Sequence, residues 1–274
     1  MAPKLAVLAG RGLMPASVIE GAVAAGRDVF VLAFNGETEP ETVEGYDHAW
    51  VALGEVGRAI RHLHEAAVED VVMIGAIHRP SIARLKMDFR GVQLAAKIGL
   101  RAGQGDNQLL KMIAKELEGE GFRVIGADDL VKTSVAGEGL MTTIGPCSSA
   151  SRDVDFGIDV ALKLGELDIG QSVVVQQGIV LGVEAIEGTD ALLQRVAGLK
   201  REGPGGVLVK MKKPNQDRRV DLPTIGETTV SGAINAGLDG IAVQAGQCLI
   251  VERARVVDAA DRAGLFLIGV DGIG

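Results

Sequence analysis

Short apolar runs alternate with helically spaced stretches along the first half of the chain, and glycine marks the changes. Residues 5–9 read LAVLA, the length of a buried strand, and run into Gly10-Arg11-Gly12. Val18, Ile19, Ala22 and Val23 then recur at helical spacing within 14–25, and VFVLAF at 29–34 reads as a second strand. Strand, glycine turn, helix and strand make a βαβ opening. The pattern goes on with a strand at 48–52, a helix at 58–67, and the apolar run EDVVMIGA at 69–76. A helix opened by Gly105-Asp106-Asn107 has its body at 108–117, and a last strand lies at 122–125. This predicts a Rossmann-like parallel sheet with helices over residues 1–130.

Residues 131–152 lose the periodicity and are rich in Ser, Thr and Gly, which predicts a linker. The rest, 153–274, predicts a mixed α/β domain. A helix at 153–164 precedes two β-rich runs, 171–176 and 179–184, joined by Gln177-Gly178, a hairpin signal. Further helices are expected at 191–196, 231–236 and 256–263, with strands at 207–211, 240–243, 248–252 and 265–270. The fold class is thus α/β in two domains.

Composition narrows the function classes. Hydrophobic residues make up 47% of the 274, enough for substantial cores, while aromatics are only 3%. Few aromatics and a net charge of −8 argue against nucleic acid as a partner. Cys147 and Cys248 stand far apart without CxxC spacing, which favours free thiols in a reducing compartment over a zinc site. No apolar run reaches the ~20 residues of a membrane span, and Lys4 precedes only the short apolar run LAVLAG, which does not read as a signal peptide, so a cytoplasmic protein is expected.

Several positions carry candidate chemistry. The turn at Gly10-Arg11-Gly12 can aim backbone N–H groups and a helix N-terminus at an anion, although Pro15 stands where a third glycine would complete the dinucleotide fingerprint. Glu37, just beyond the second strand, occupies the place of a ribose-binding acid. His78 and Arg79 follow a strand's carboxyl end, where ligands of open sheets sit. Residues 79–101 carry six cations against one acid, Asp88, and a partly helical apolar spacing. Such a segment can rest on anionic lipid or be an ordinary surface helix. The stretch 210–229, KMKKPNQDRRVDLPTIGETT, packs five cations between apolar strands. There Asp221 lies just past Arg218 and Arg219, a combination suited to holding a divalent ion or orienting water near phosphate. The same charges can equally pair with one another in solvent.

The stretch KKPNQDRRVDLPTIG resembles the signature of the LpxI family, the UDP-2,3-diacylglucosamine pyrophosphatases of lipid A synthesis. So do AGRGLMP (9–15), RAGQGDNQLL (101–110), LDIGQSVVVQQGIVLGVEAIEGTDALLQRV (167–196) and AGLFLIGVD (263–271), in that order along the chain. The resemblance implies metal-dependent cleavage of a nucleotide-sugar diphosphate, with Mg²⁺ or else Mn²⁺ as cofactor. It implies Asp221, Arg218 and Arg219 as catalytic residues. Gly10, Arg11, Gly12, Leu13, His78, Arg79, Thr189, Lys213, Gln216, Thr224 and Gly226 would contact substrate, and Asp221, Asp106, Glu187 and Asp190 would hold metal. A homodimer touching the inner membrane surface is expected. The alternatives are a nicotinamide-dependent oxidoreductase, disfavoured by the missing glycine, and a nucleotide-sugar-binding regulator without catalysis.

Overall fold

The computed structural model describes residues 2–78, 85–99, 106–214 and 216–272. The chain divides into two compact units. The first comprises Met1–Lys132 together with Asp217–Asp221, and the second Thr133–Gln216 with Leu222–Gly274.

The first unit is a parallel sheet with helices. Its elements in chain order are β1 (Leu5–Ala9), α1 (Met14–Ala24), β2 (Val29–Phe34), β3 (Asp47–Val51), α2 (Val56–Glu65) and β4 (Asp70–Ile74). Then come α3 (Phe89–Gly99), α4 (Asp106–Gly119) and β5 (Arg123–Val124). The strand order is β3-β2-β1-β4-β5, every pair parallel. All five side chains of β1 are buried, as expected of a strand covered on both faces. One face packs Ala6, Leu8, Phe30 and Leu32 against Ile60, Leu63, Ala114, Leu117 and Phe122. Val220 joins that same core from far along the sequence.

At the sheet's amino end Asp70 is buried and held by two arginines. Arg27 Nη2 donates to Asp70 Oδ2 at 2.5 Å, and Arg123 donates to both oxygens at 2.7 and 2.8 Å. Burial alone would raise the Asp70 carboxyl, but the hydrogen bonds from Arg123 and Arg27 outweigh it and hold the group below the usual range.

The second unit contains β6 (Gly139–Leu140), α5 (Ser148–Glu166), β7 (Ser172–Gln176), β8 (Ile179–Val183), α6 (Gly188–Val196) and β9 (Val207–Lys210). These are followed by β10 (Thr224–Ile225), α7 (Glu227–Asn235), β11 (Gly240–Gln244), β12 (Leu249–Ile250), α8 (Arg253–Ala263) and β13 (Phe266–Val270). The main sheet runs β6-β13-β11-β9-β7-β8, parallel through β13, β11 and β9 and antiparallel at β6, β7 and β8. A second, short parallel pair joins β10 and β12. Alternate side chains of the main sheet enter two cores. Val173, Val175, Val207 and Val209 face Val154, Ile158 and Ala161 of α5. Val174, Leu208, Ile241 and Val243 face Leu192, Leu193, Val230 and Val256 of the other helices.

Three expectations are corrected. The linker expected over 131–152 already contains β6 and the first turn of α5, because Ala150 is buried in register with Val154, Ile158 and Ala161. The strand expected at 248–252 shrinks to Leu249–Ile250, since Glu252 turns left-handed to start α8. Residues 217–221, expected in the second domain, group with the first unit.

Candidate functional site

Candidate residues gather in three places. The first is the carboxyl end of β1, β2 and β4. The strand order reverses direction between β1 and β4, the position where open α/β sheets bind ligands. Arg11 and Ala76 exchange backbone hydrogen bonds of 2.8 and 3.1 Å across it. Gly10 is required there, because a Cβ would lie 2.6 Å from the Ala76 carbonyl oxygen. The Arg11 side chain donates to His78 Nε2 at 3.0 Å and to the Gly36 carbonyl at 3.1 Å, and its Nε lies 3.1 Å from Glu37 Oε2. With Nε2 accepting, the His78 ring proton belongs on Nδ1, which faces Glu37 at 3.6 Å. The Gly12 N–H donates to both Glu39 oxygens at 3.2 Å. Gly10, Arg11, Gly12 and His78 are therefore brought together, with exposed Leu13 beside them. Glu39 escaped the sequence reading. It shows itself only as an acid in the loop after β2. Arg79 lies outside the described residues.

The second place is the return of Asp217–Asp221 to the first unit. Val220 is buried, and charges flank it on both sides. Arg218 Nη2 pairs with Asp128 at 2.5 Å. Arg219 donates to both oxygens of Asp217, at 3.1 and 2.8 Å, and to Glu118 at 2.6 Å. The hydrogen bond from Arg219 holds the Asp217 carboxyl below its usual range, while the bonds it donates to Asp217 and Glu118 raise the Arg219 guanidinium. Both arginines expected at phosphate are thus engaged by carboxylates of this unit. Asp221 is half-buried, and its N–H donates to the Asp217 carbonyl at 3.1 Å. Asp106 opens α4 by its backbone, and its side chain is outside the description.

The third place is one end of the second unit's main sheet, where the loops before β7, after β8 and after β9 meet. The Glu184 N–H bonds the Ser172 carbonyl at 2.8 Å, and the Met211 N–H bonds the Gln171 carbonyl at 2.9 Å. Only glycine fits at 170, because a Cβ would sit 2.0 Å from the Glu184 carbonyl oxygen. Lys210 and Glu184 are only 5% and 7% exposed. Between them Thr189 Oγ1 accepts from Lys210 Nζ at 2.8 Å and donates to Glu184 Oε1 at 3.1 Å, with Ser172 Oγ at 3.3 Å. Among the described residues the buried Glu184 Oε2 has no hydrogen-bond partner. Lys213 Nζ bonds Asp168 at 2.6 Å, and Gln216 Oε1 accepts from the Lys213 N–H at 3.0 Å. Of the expected metal ligands, Glu187 pairs with Arg195 at 2.8 Å and Asp190 is exposed on the first turn of α6. Its own backbone N–H and then Arg195 hold the Glu187 carboxyl below the usual range. Thr224 and Gly226 stand on β10 and at the start of α7, where Thr224 Oγ1 donates to the Leu222 carbonyl at 3.1 Å.

Among the described residues no three His, Cys, Asp or Glu side chains converge on a point that would hold a metal ion. Among the described residues a cage built by protein alone does not fit. A hard ion held by one or two carboxylates and completed by ligand oxygens demands less of the chain. Among the described residues no helix is long and apolar enough to cross a membrane.

Comparison with known proteins decides the family. The LpxI N-terminal domain matches residues 4–134 and the LpxI C-terminal domain matches 137–268. The chain belongs to the LpxI family. It is 39% identical over 274 residues to the UDP-2,3-diacylglucosamine pyrophosphatase LpxI of Caulobacter vibrioides, covering 98% of each chain. The Asp217–Asp221 segment lies inside the LpxI C-terminal match and yet packs with the unit that the LpxI N-terminal match describes.

Proposed function

We propose that this protein hydrolyses the pyrophosphate bond of UDP-2,3-diacylglucosamine, releasing UMP and 2,3-diacylglucosamine 1-phosphate for lipid A synthesis. The observation that carries this is end-to-end similarity to a pyrophosphatase of that name, 39% identity across both family domains.

The chain's own groups suit parts of that task. Asp221 orients the attacking water by accepting a hydrogen bond from it. As the water oxygen bonds to phosphorus, the bridging P–O bond breaks and one phosphate leaves with the bridging oxygen. The proton lost by water ends on solvent or on the leaving phosphate. In the same reading the Gly10–Leu13 turn, His78 and Arg79 receive the nucleotide side. Thr189, Lys213, Gln216, Thr224 and Gly226 serve the sugar phosphate. Arg218 and Arg219 set the charge around Asp221. The candidates for holding a divalent ion, Mg²⁺ or Mn²⁺, are Asp221 and Asp106 in the first unit and Glu187 and Asp190 in the second, and an ion held by one or two such carboxylates would neutralise the diphosphate. The reading includes a homodimer with peripheral contact to the inner membrane surface, where such a substrate resides.

The test is UMP release from UDP-2,3-diacylglucosamine with Mg²⁺, with chelator, and with chelator followed by excess Mg²⁺. Asp221→Ala is expected to fold, with an unchanged circular dichroism melt, and to lose about 10³-fold in kcat. Undiminished turnover by Asp221→Ala removes that residue from the mechanism. Turnover that persists in chelator removes the metal.

A further inference from the structure

One side of α3 is fastened to the first unit. Asp88, just before the helix, caps it by accepting from the Gly91 N–H at 2.8 Å, and its other oxygen accepts from the Arg58 N–H at 3.1 Å. Gly91 is pressed against Gly54, where a Cβ would lie 2.1 Å from the carbonyl oxygen. Leu94 is buried on the same side, and Arg90 and Lys97 pair with Glu120 and Glu116 at 2.5 and 2.8 Å. These contacts fix the rotation of the helix about its axis. Phe89, Val92, Gln93 and Ala96, spaced i, i+3, i+4 and i+7, consequently share the outer face, and all four are exposed. Phe89 is 78% and Val92 53% exposed, whereas Phe30, Phe122 and Phe266 are core residues. Exposed Lys86 precedes that face, and exposed Lys97 borders it.

We propose that the outer face of α3, Phe89 and Val92 together with Lys86, is the surface by which the protein docks on an anionic lipid bilayer. This rests on the function proposed above, whose substrate resides in a membrane, and it names the side chains that make the contact. Charge selects the occupant. Residues 79–101 hold six cations and one acid in a chain of net charge −8, and that acid, Asp88, is turned to the backbone of Gly91 and Arg58. A stretch so biased complements a layer of anionic headgroups. Phe89 and Val92 can enter the boundary between headgroups and hydrocarbon, while a lysine stem lies along it and keeps its ammonium among the phosphates. A second copy of the chain fits less well, because a two-fold contact would set the same cationic stretch against itself. Phe89 contributes most of the apolar contact, since it is the larger and the more exposed of the pair.

The experiment is co-sedimentation of the full chain with vesicles, either phosphatidylglycerol mixed with phosphatidylcholine or phosphatidylcholine alone. The wild type should bind the mixed vesicles about tenfold more tightly than the neutral ones and lose that margin at high salt. Phe89→Ser and Val92→Ser are combined in one variant. Both positions are exposed, so it should melt with the wild type, and it should bind the mixed vesicles about tenfold more weakly. Lys86→Glu keeps the apolar pair and should lose about tenfold on the mixed vesicles and nothing on the neutral ones. Both variants should release UMP from the diacetyl analogue of the substrate, without vesicles, at the wild-type rate. Equal wild-type binding to both kinds of vesicle, or undiminished binding by the Phe89→Ser, Val92→Ser variant, overturns the proposal. So does a variant that binds vesicles normally but has a raised KM for the long-chain substrate in detergent micelles, which would assign the face to the acyl chains. A smaller sedimentation coefficient with normal vesicle binding would assign it to a second copy of the chain, and also overturns it. Wild-type protein that binds anionic vesicles and releases no UMP sinks the catalytic reading and leaves the docking face standing. Active wild-type protein that binds no vesicles sinks the docking face alone.

Discussion

Asp70 in the first unit and Glu184 in the second are both buried carboxylates, and their support differs in kind. Asp70 receives hydrogen bonds from two guanidinium groups that approach both of its oxygens. Among the described residues Glu184 receives one from a neutral hydroxyl, has no partner for its second oxygen, and is linked to Lys210 through Thr189. A carboxylate removed from water is stable when charge-assisted hydrogen bonds replace hydration, and an unfilled acceptor costs free energy. Asp70 therefore fastens the start of β4 to its neighbours. Glu184 stands in a place that the fold tolerates, beside residues likened to a substrate site, and local under-support of that sort gathers at working sites.

Replacing Asp70 should do the most damage. Asp70→Asn leaves half-buried Arg27 against a neutral amide and is expected to cost about 3 kcal/mol in urea unfolding. Because the folded carboxyl titrates below its unfolded value, its contribution is complete above about pH 4 and fades as pH falls through the folded value. The stability gap between wild type and Asp70→Asn should accordingly narrow below about pH 4. A constant gap down to pH 2 would mean that the arginines are not what hold Asp70.

Thr189→Val comes next, at about 2 kcal/mol, since it keeps the side-chain shape and removes the hydroxyl that Lys210 and Glu184 share. Glu184→Gln should change stability by less than about 1 kcal/mol. It retains the acceptor for Thr189 and relieves an incompletely solvated charge, while it weakens the pull on Lys210. If Glu184→Gln proves as costly as Asp70→Asn, the contrast between the two carboxylates is wrong. The smallest effect separates the two thiols. Cys147 is exposed at the start of α5, and hydrogen bonds from Ser149, with the backbone N–H groups of Ala150 and Ser149, lower its thiol. Burial pushes Cys248 up to about 12. Iodoacetamide at pH 8 should label Cys147 in the native protein and reach Cys248 only on unfolding, without loss of stability from the first label.

The first sheet was legible because strands buried on both faces read as unbroken apolar runs, as LAVLA and VFVLAF do. The hairpin at Gln177-Gly178 was legible from turn chemistry, and both residues take positive φ there. Two-residue strands such as β6 and β12 carry no period to detect. The candidate site was legible in part. Glycines and a histidine at strand ends follow from where parallel sheets keep their loops. The engagement of Arg219 by Glu118 does not, because the two lie 101 residues apart. Nor did local pattern place DRRVD in the first unit. Its one cue was a lone valine among charges, and nothing nearby in sequence says which core that valine enters.

The route of the chain through Val220 limits how the gene can be cut. A fragment ending at Lys132 would lack the side chain that completes its own hydrophobic interior, together with the acid–base pairs that Arg218 and Arg219 make to Asp128 and Glu118. The remaining fragment would display that valine and those arginines with no one to receive them. Neither piece is a self-sufficient module, and a chimera assembled at that junction would have to carry the five travelling residues along with the half they complete.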